Sequence, residues 1–314
     1  MTFRQLFLAV TSLHLLLFSA VSSKAITVAG TDPADYLVAA GTGFDGVVLF
    51  STNVGSCSGS LLTGGLYILT AAHCVTDTSG DIDVASSNAI FHLPSGTTSV
   101  AGAAYFFHPG WTGILDDGND IALVRLAAVA PAAAERYDIY RDSDEIFQDT
   151  LIVGHGTTGT GLLGKTVLDG LKRKGSNRFD TFGDLLTGYP PSQSVLAYDF
   201  DDGTALHDAW GTYFPALVNL GLGLQEVMIA SGDSGGPSFL AGKLAGVHSF
   251  GGRTTNPPDN NTILDASFGE FGGDTRVSFY ASWIDGVLAP EPGSVILLAL
   301  GLALFGGLSR RRAT

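Results

Sequence analysis

The feature that most limits how this chain can fold is the shortness of its apolar runs, each cut by Gly, Asp, Asn or Thr. DGVVLFST, SGSLLTGGLYILTAAH, NAIFHL, AAYFFH and DIALVRL follow one another through the first half. After a looser polar stretch, AAERYDIYRDSDEIFQD, the pattern resumes with TLIVGHGTTG, VLAYDF, PSFL and LAGVHSF. Runs of this length, rich in β-branched and aromatic residues and bounded by turn formers, predict strands. The 42 glycines and the low share of charged residues, 15%, agree with many turns around a buried interior. Two segments depart from the pattern. GLKRKGSNRFDTFGDLLTGYPPSQS reads as a long, strand-poor insertion, and RVSFYASWIDGVL has the apolar spacing of one short helix. No repeat of short fixed period is present. The expectation is an all-β chain of two antiparallel units with a terminal helix.

The two ends read as targeting segments. MTFRQ is followed by the apolar run LFLAVTSLHLLLFSAV and by small residues at Ser23 and Ala25, which predicts a secretory signal peptide over residues 1–25 cleaved after Ala25. At the other end, residues 289–314 join Pro290-Glu291-Pro292, an apolar run from Gly293 to Leu308, and Arg310-Arg311-Arg312. That run is slightly short for a membrane span, and the arginines would hold it on the cytoplasmic side. The tail resembles the PEP-CTERM sorting signal of Gram-negative bacteria. The resemblance implies recognition and cleavage by an exosortase-type enzyme, transient residence in the inner membrane, and a cell-surface or extracellular destination. The formal charge of −14 argues against nucleic acid as a partner. The two cysteines, Cys57 and Cys74, can form one disulfide in an exported chain. Closing that loop is worth about 3 kcal/mol on chain entropy. Neither CxxC nor paired-His spacing is present, so no structural metal and no cofactor are expected. YDFDDGTALHD is acidic enough to suggest calcium, but its spacing is not that of an EF-hand and a plain acidic loop is the preferred reading.

The chemistry points to IASGDSGGPSF, where glycines flank Ser234 and Asp233 precedes it. A serine hydroxyl needs a base within hydrogen-bond reach, and that base needs a third group to fix its tautomer. His73 ends the apolar strand YILTAAHC beside Cys74, so a crosslink would hold it. Asp120 leads directly into the apolar run IALVRL, unlike the acidic pairs Asp116-Asp117 and Asp201-Asp202, which read as solvated.

TAAHC, NDIALVRL and GDSGGP, in that order, resemble the three signature segments of the trypsin/chymotrypsin-like serine proteases. SCSGSLL, FFHPGW, VGHGTT, VHSFGG and TRVSFYASWI fall where that family has its lesser matches. The resemblance implies two six-stranded antiparallel β-barrels and a short C-terminal helix, within a peptidase domain over residues 26–288. Barrel one would span about 26–145 and barrel two about 146–288. Carried over residue by residue, Ser234 is the nucleophile, His73 the general base and Asp120 its orienter. The N–H groups of Gly232 and Ser234 form the oxyanion hole, and Ser249, Phe250 and Gly251 form the edge that pairs with substrate. The implied partners are protein or peptide substrates.

Several positions depart from the family pattern. Met228 stands six residues before Ser234, where the preferred side chain N-terminal to the cut bond is set, and with Ile229 it points to an apolar pocket. Ala230 replaces a cysteine common in relatives; if that shifts the count, Glu226 reaches the pocket and favours a basic residue. His155 and Phe250 replace tryptophans. No IVGG follows a basic cleavage site, yet Ile26 immediately follows the expected signal-peptide cut. The expectation is that signal peptidase itself frees Ile26 to pair with Asp233. A catalytically inactive adhesion or matrix module on the same fold is the alternative.

Overall fold

The computed structural model describes residues 26–187, 192–253 and 256–289. The expected signal peptide and the sorting segment from Pro290 onward lie outside the described residues. Among the described residues, no helix is long and apolar enough to cross a membrane.

The chain opens with β1 (Ile26–Val28) and then builds a barrel from β2 (Val47–Thr52), β3 (Ser56–Leu61), β4 (Tyr67–Thr70), β5 (Ser87–Leu93), β6 (Gly96–Phe107) and β7 (Ala122–Leu126). These six strands close in the order β2-β3-β4-β7-β6-β5, which leaves no free sheet edge. The apolar runs supply its interior: Val48, Phe50, Leu61, Ile68, Leu123 and Val124 are all buried. Full burial of such a side chain is worth about 1.5–3 kcal/mol.

The second half contains β8 (Asp149–Gly154), β9 (Thr157–Thr160), β10 (Gly164–Leu168), β11 (Arg173–Arg178) and β12 (Thr181–Phe182). The one-turn helix α1 (Asp184–Thr187), β13 (Val195–Asp199) and α2 (Ala209–Tyr213) follow. β14 (Val227–Met228), β15 (Pro237–Leu240), β16 (Lys243–Gly252), β17 (Phe271–Arg276) and α3 (Ala281–Leu288) complete the chain. Of the two expected six-stranded barrels, the first closes. The second is a half-barrel: a seven-stranded sheet, β11-β8-β15-β16-β17-β13-β12, beside a four-stranded sheet, β10-β9-β1-β14. β1 precedes the first barrel in sequence but pairs in the second half, parallel to β9 and antiparallel to β14. Its core there includes Ile26, Val28, Ile152, Leu196 and Met228.

α3 forms where the closing apolar spacing predicts it and lays Ile284 into the first core, with Trp283 and Val287 partly buried beside it. The stretch read as a strand-poor insertion in fact contributes β11, which pairs with β8 over six residue pairs. Its sequence, RKGSNR, has no apolar alternation because its inward groups are polar and satisfied. Arg173 is fully buried against Asp169, at 2.9 and 3.1 Å. Asn177 Nδ2 donates to Asp199 O and Val227 O.

Candidate active site

The register of one strand pair brings the first two candidate residues together. β4 and β7 run antiparallel with Thr70 opposite Ala122. The chain leaves β4 through a 3-10 turn, Ala72–Cys74, and enters β7 through Asp120. His73 therefore meets a carboxylate 47 residues away: Asp120 Oδ2 lies 2.7 Å from His73 Nδ1, and Oδ1 accepts the His73 backbone N–H at 2.9 Å. A disulfide joins Cys57 on β3 to Cys74 at the end of the same turn, holding it to the barrel. Ser249 on β16 donates to Asp120 Oδ2 at 2.5 Å, and Thr275 Oγ1 donates to Asp120 O at 2.8 Å.

The electrostatics follow from that contact set. Burial alone would push Asp120 up, but the His73 charge and the hydrogen bonds from His73 and Ser249 hold it below the ordinary carboxylate value. For His73, burial pulls the imidazole down, yet the charge and hydrogen bond of Asp120 outweigh it and the net direction is upward. Nδ1 faces Asp120, so Nε2 is the nitrogen left to take a proton from a reacting group.

Ser234 sits on a turn clamped from both sides. Its carbonyl accepts from Ser58 N of β3 at 2.8 Å, and the next residue, Gly235, donates to His248 O of β16 at 2.8 Å. Ser58 Oγ further donates to Gly232 O at 3.1 Å. Gly232 adopts φ +95°, and a Cβ there would sit 2.9 Å from the Gly156 Cα, so only glycine fits the turn unstrained. Among the described residues, the backbone N–H groups of Gly232 and Ser234 donate to no protein acceptor. His73 and Ser234 line the same cavity, of about 290 Å³, without a hydrogen bond between them. Such sites commonly hold nucleophile and base loosely and tighten around substrate.

The same cavity is lined by Met228, Ile229, Phe250, Leu264 and Ala266, with Ser249 and Gly251 along one edge. Glu270 also lines it and was not singled out from sequence. Its oxygens accept the Asp265 and Ala266 N–H groups at 2.9 and 2.8 Å, and burial raises its carboxyl to about 7. FGEFGGD carries no pattern that would have flagged it. Glu226 points elsewhere. It accepts the Asp201 and Leu222 N–H groups and does not line the cavity.

Asp233, directly before Ser234, is completely buried. It accepts Gly156 N at 2.7 Å, Ala230 N at 2.9 Å and Ile26 N at 3.3 Å. Burial, only partly offset by these hydrogen bonds, raises it to about 7. His155 is also buried, at Gly170 O, and burial lowers its imidazole to about 3, so it packs as a neutral ring 5.4 Å from that of His92.

The trypsin family model matches residues 40–177, a span that includes His73 and Asp120 but ends before Ser234. No curated protein sequence matches the chain. Among solved structures, neuropsin, a serine protease expressed in the limbic system of mouse brain, superposes with a TM-score of 0.59 at 16% identity. The match covers 81% of this chain and 98% of neuropsin. The closed barrel, the half-barrel and the cleft that holds these residues therefore have the trypsin-like serine protease fold, and residues 40–177 match the trypsin family.

Proposed function

We propose that the protein is an exported serine endopeptidase that works through an acyl-enzyme. One observation carries this reading: an Asp120-paired His73 and a serine beside two unengaged backbone donors converge on one cavity. In the proposed cycle, His73 Nε2 takes the Ser234 hydroxyl proton as Oγ bonds to the substrate carbonyl carbon. The oxygen that gains charge is met by the Gly232 and Ser234 N–H groups, each such donor being worth about 2.7–4 kcal/mol of transition-state stabilisation. His73 then passes its proton to the departing amine, and water, deprotonated by the same nitrogen, releases the acyl group. Asp120 holds the imidazole in the tautomer this sequence needs.

For the side chain preceding the cut bond, the reading is apolar. Met228, Ile229, Phe250 and Leu264 present apolar surface, while both Glu270 oxygens are occupied by backbone donors. The activating terminus is Ile26, made by signal peptidase; its ammonium would pair with Asp233 Oδ2. The Pro-Glu-Pro tail directs the chain to an exosortase-type enzyme at the inner membrane, and the mature enzyme acts at the cell surface or outside.

A fluorophosphonate probe tests the core of this proposal. Intact protein is labelled at Ser234, and Ser234→Ala is not; intact, folded protein that resists labelling points instead to an inactive adhesion or matrix module. Cleavage profiling on a peptide library reads the specificity, and enrichment of Lys or Arg before the cut would overturn the apolar assignment.

A further inference from the structure

We propose that Asp199, Asp201 and Asp208, none of which lines the catalytic cavity, form a binding site for a calcium ion in the second half-barrel. All three carboxylates are buried, and each offers an oxygen within 4.8 Å of the others. Two oxygens on opposite sides of one calcium ion, each at about 2.4 Å, are about 4.8 Å apart. Calcium accepts irregular oxygen arrangements of this kind, whereas magnesium demands a near-ideal octahedron.

The neighbouring groups are arranged around these oxygens without neutralising them. Asp199 ends β13; its Oδ2 accepts Trp210 N at 2.9 Å, while Oδ1 has no donor, and its side chain adjoins that of a further buried carboxylate, Asp180. Asp201 is 1% exposed, and neither of its oxygens has a hydrogen-bond partner. Its ligating oxygen is aimed at those of Asp199 and Asp208. Asp208 caps α2, using Oδ1 on Gly211 N at 2.6 Å. Among the described residues, no Lys, Arg or His forms an ion pair with any of the three, and the nearby Arg178 is paired to Asp149 at 2.7 Å. A buried carboxylate with both oxygens unpaired costs several kcal/mol unless a cation compensates it. Glu226 adds the support such a site needs: one oxygen accepts Asp201 N at 2.8 Å, fixing the loop that presents Asp201. The donor set is all oxygen, the preference of a hard cation. The other cluster of ligand-type residues, Cys57, His73 and Cys74, has both sulfurs in the disulfide.

The site would pin the long segment between β13 and β14. That segment leads into Met228, which lines the catalytic cavity. Calcium at this point would therefore order the wall of the cavity without touching the reacting atoms.

The test uses the full chain with Ser234→Ala in every arm, so that self-digestion plays no part. Terbium replaces calcium as a luminescent probe excited through Trp210, whose backbone contacts Asp199. Calcium at about 100 times its Kd should raise Tm by about 5–10 °C over the chelated protein. Terbium emission should appear and be displaced by calcium. Asp201→Asn should abolish both responses, and in chelator it should be at least as stable as the parent because a buried like charge is gone. Glu226→Gln should weaken calcium binding about 10–100-fold. Asp77→Asn, in the exposed loop after His73, should keep both responses. Trp210→Phe should keep the Tm rise and lose the emission. Calcium titration calorimetry on the parent should give one site, tighter for calcium than for magnesium. A parent that shows neither a Tm rise nor calorimetric binding overturns the proposal, as does Asp201→Asn with an undiminished response.

Discussion

Retaining a single extra residue, Ala25, in front of Ile26 should nearly silence the proposed peptidase activity. Ile26 N lies 3.3 Å from Asp233 Oδ2, and both residues are fully buried. As a free ammonium, that nitrogen attracts the carboxylate by about 5 kcal/mol at an effective dielectric of about 20. As the amide of an Ala25–Ile26 bond it donates only a hydrogen bond, worth about 1.5–3 kcal/mol to a charged acceptor. The difference, about 2–3.5 kcal/mol, weights the ordered form of the Gly232–Ser234 turn roughly 30- to 300-fold, at about 1.4 kcal/mol per decade. Asp233 carries this consequence because it adjoins Ser234 and holds Ala230 N and Gly156 N as well. The assay compares chains liberated to start at Ile26 or at Ala25, by kcat/KM on a peptide substrate and by fluorophosphonate titration of competent sites. A second readout is stability against pH. Facing only the amide, Asp233 is raised to about 7 by burial, above its unfolded value of about 3.9. Its contribution is then fully present below the unfolded value and is lost as pH rises through about 7. The Ala25 form should therefore lose stability between about pH 4 and 7, and the Ile26 form should lose less. Equal kcat/KM for the two chains, within about threefold, would refute the reasoning, because no more than about a third of the expected energy would then survive as a rate difference.

Other expected outcomes follow from single contacts. Asp120→Asn should lower kcat by about four orders of magnitude with little change in KM, since His73 loses the group that fixes its tautomer. The acid limb of kcat/KM should lie above the ordinary imidazole value of 6.5, because Asp120 raises His73 and only the neutral ring accepts a proton; a limb at or below that value would contradict the pairing. Ser249→Ala leaves the buried Asp120 one donor short, which should cost about 1–3 kcal/mol in stability by denaturant titration. Gly232→Ala, at φ +95° and against Gly156, should displace the N–H and cut kcat about 10²–10³-fold with KM nearly unchanged. Replacing Cys57 and Cys74 together by alanine should cost about 3 kcal/mol, seen as a fall in Tm of about 6–12 °C.

Much of the fold was legible because it is written locally. DGVVLFST, NAIFHL and DIALVRL became β2, β5 and β7, and the spacing of YASWIDGVL became α3 with Ile284 turned into the core. β11 was not legible, because its buried groups are Arg173 and Asn177, held by Asp169 and by backbone carbonyls that a hydropathy pattern cannot register. The cavity was half legible. Counting back from Ser234 reached Met228, which does line it, but gave no sign of Glu270 and left Glu226 as an alternative that the structure turns away from the cavity.

The sequence by itself determined the chemistry on offer: a serine between glycines, a histidine beside a cysteine, an aspartate at the mouth of an apolar strand. It also determined the elements, since side-chain alternation and turn residues act over a few positions. Only the tertiary structure decided which groups meet. The β4–β7 register sets Thr70 against Ala122 and so places His73 on Asp120. The pairing of β1 between β9 and β14 carries Ile26 to Asp233 across 207 positions. The turn after β13 collects Asp199, Asp201 and Asp208 into one buried cluster that, in the sequence, reads as an acidic loop. The physical reason is common to all three. Strand register and loop closure are settled by the packing of whole faces against each other, over separations at which no local pattern of residues constrains the partner.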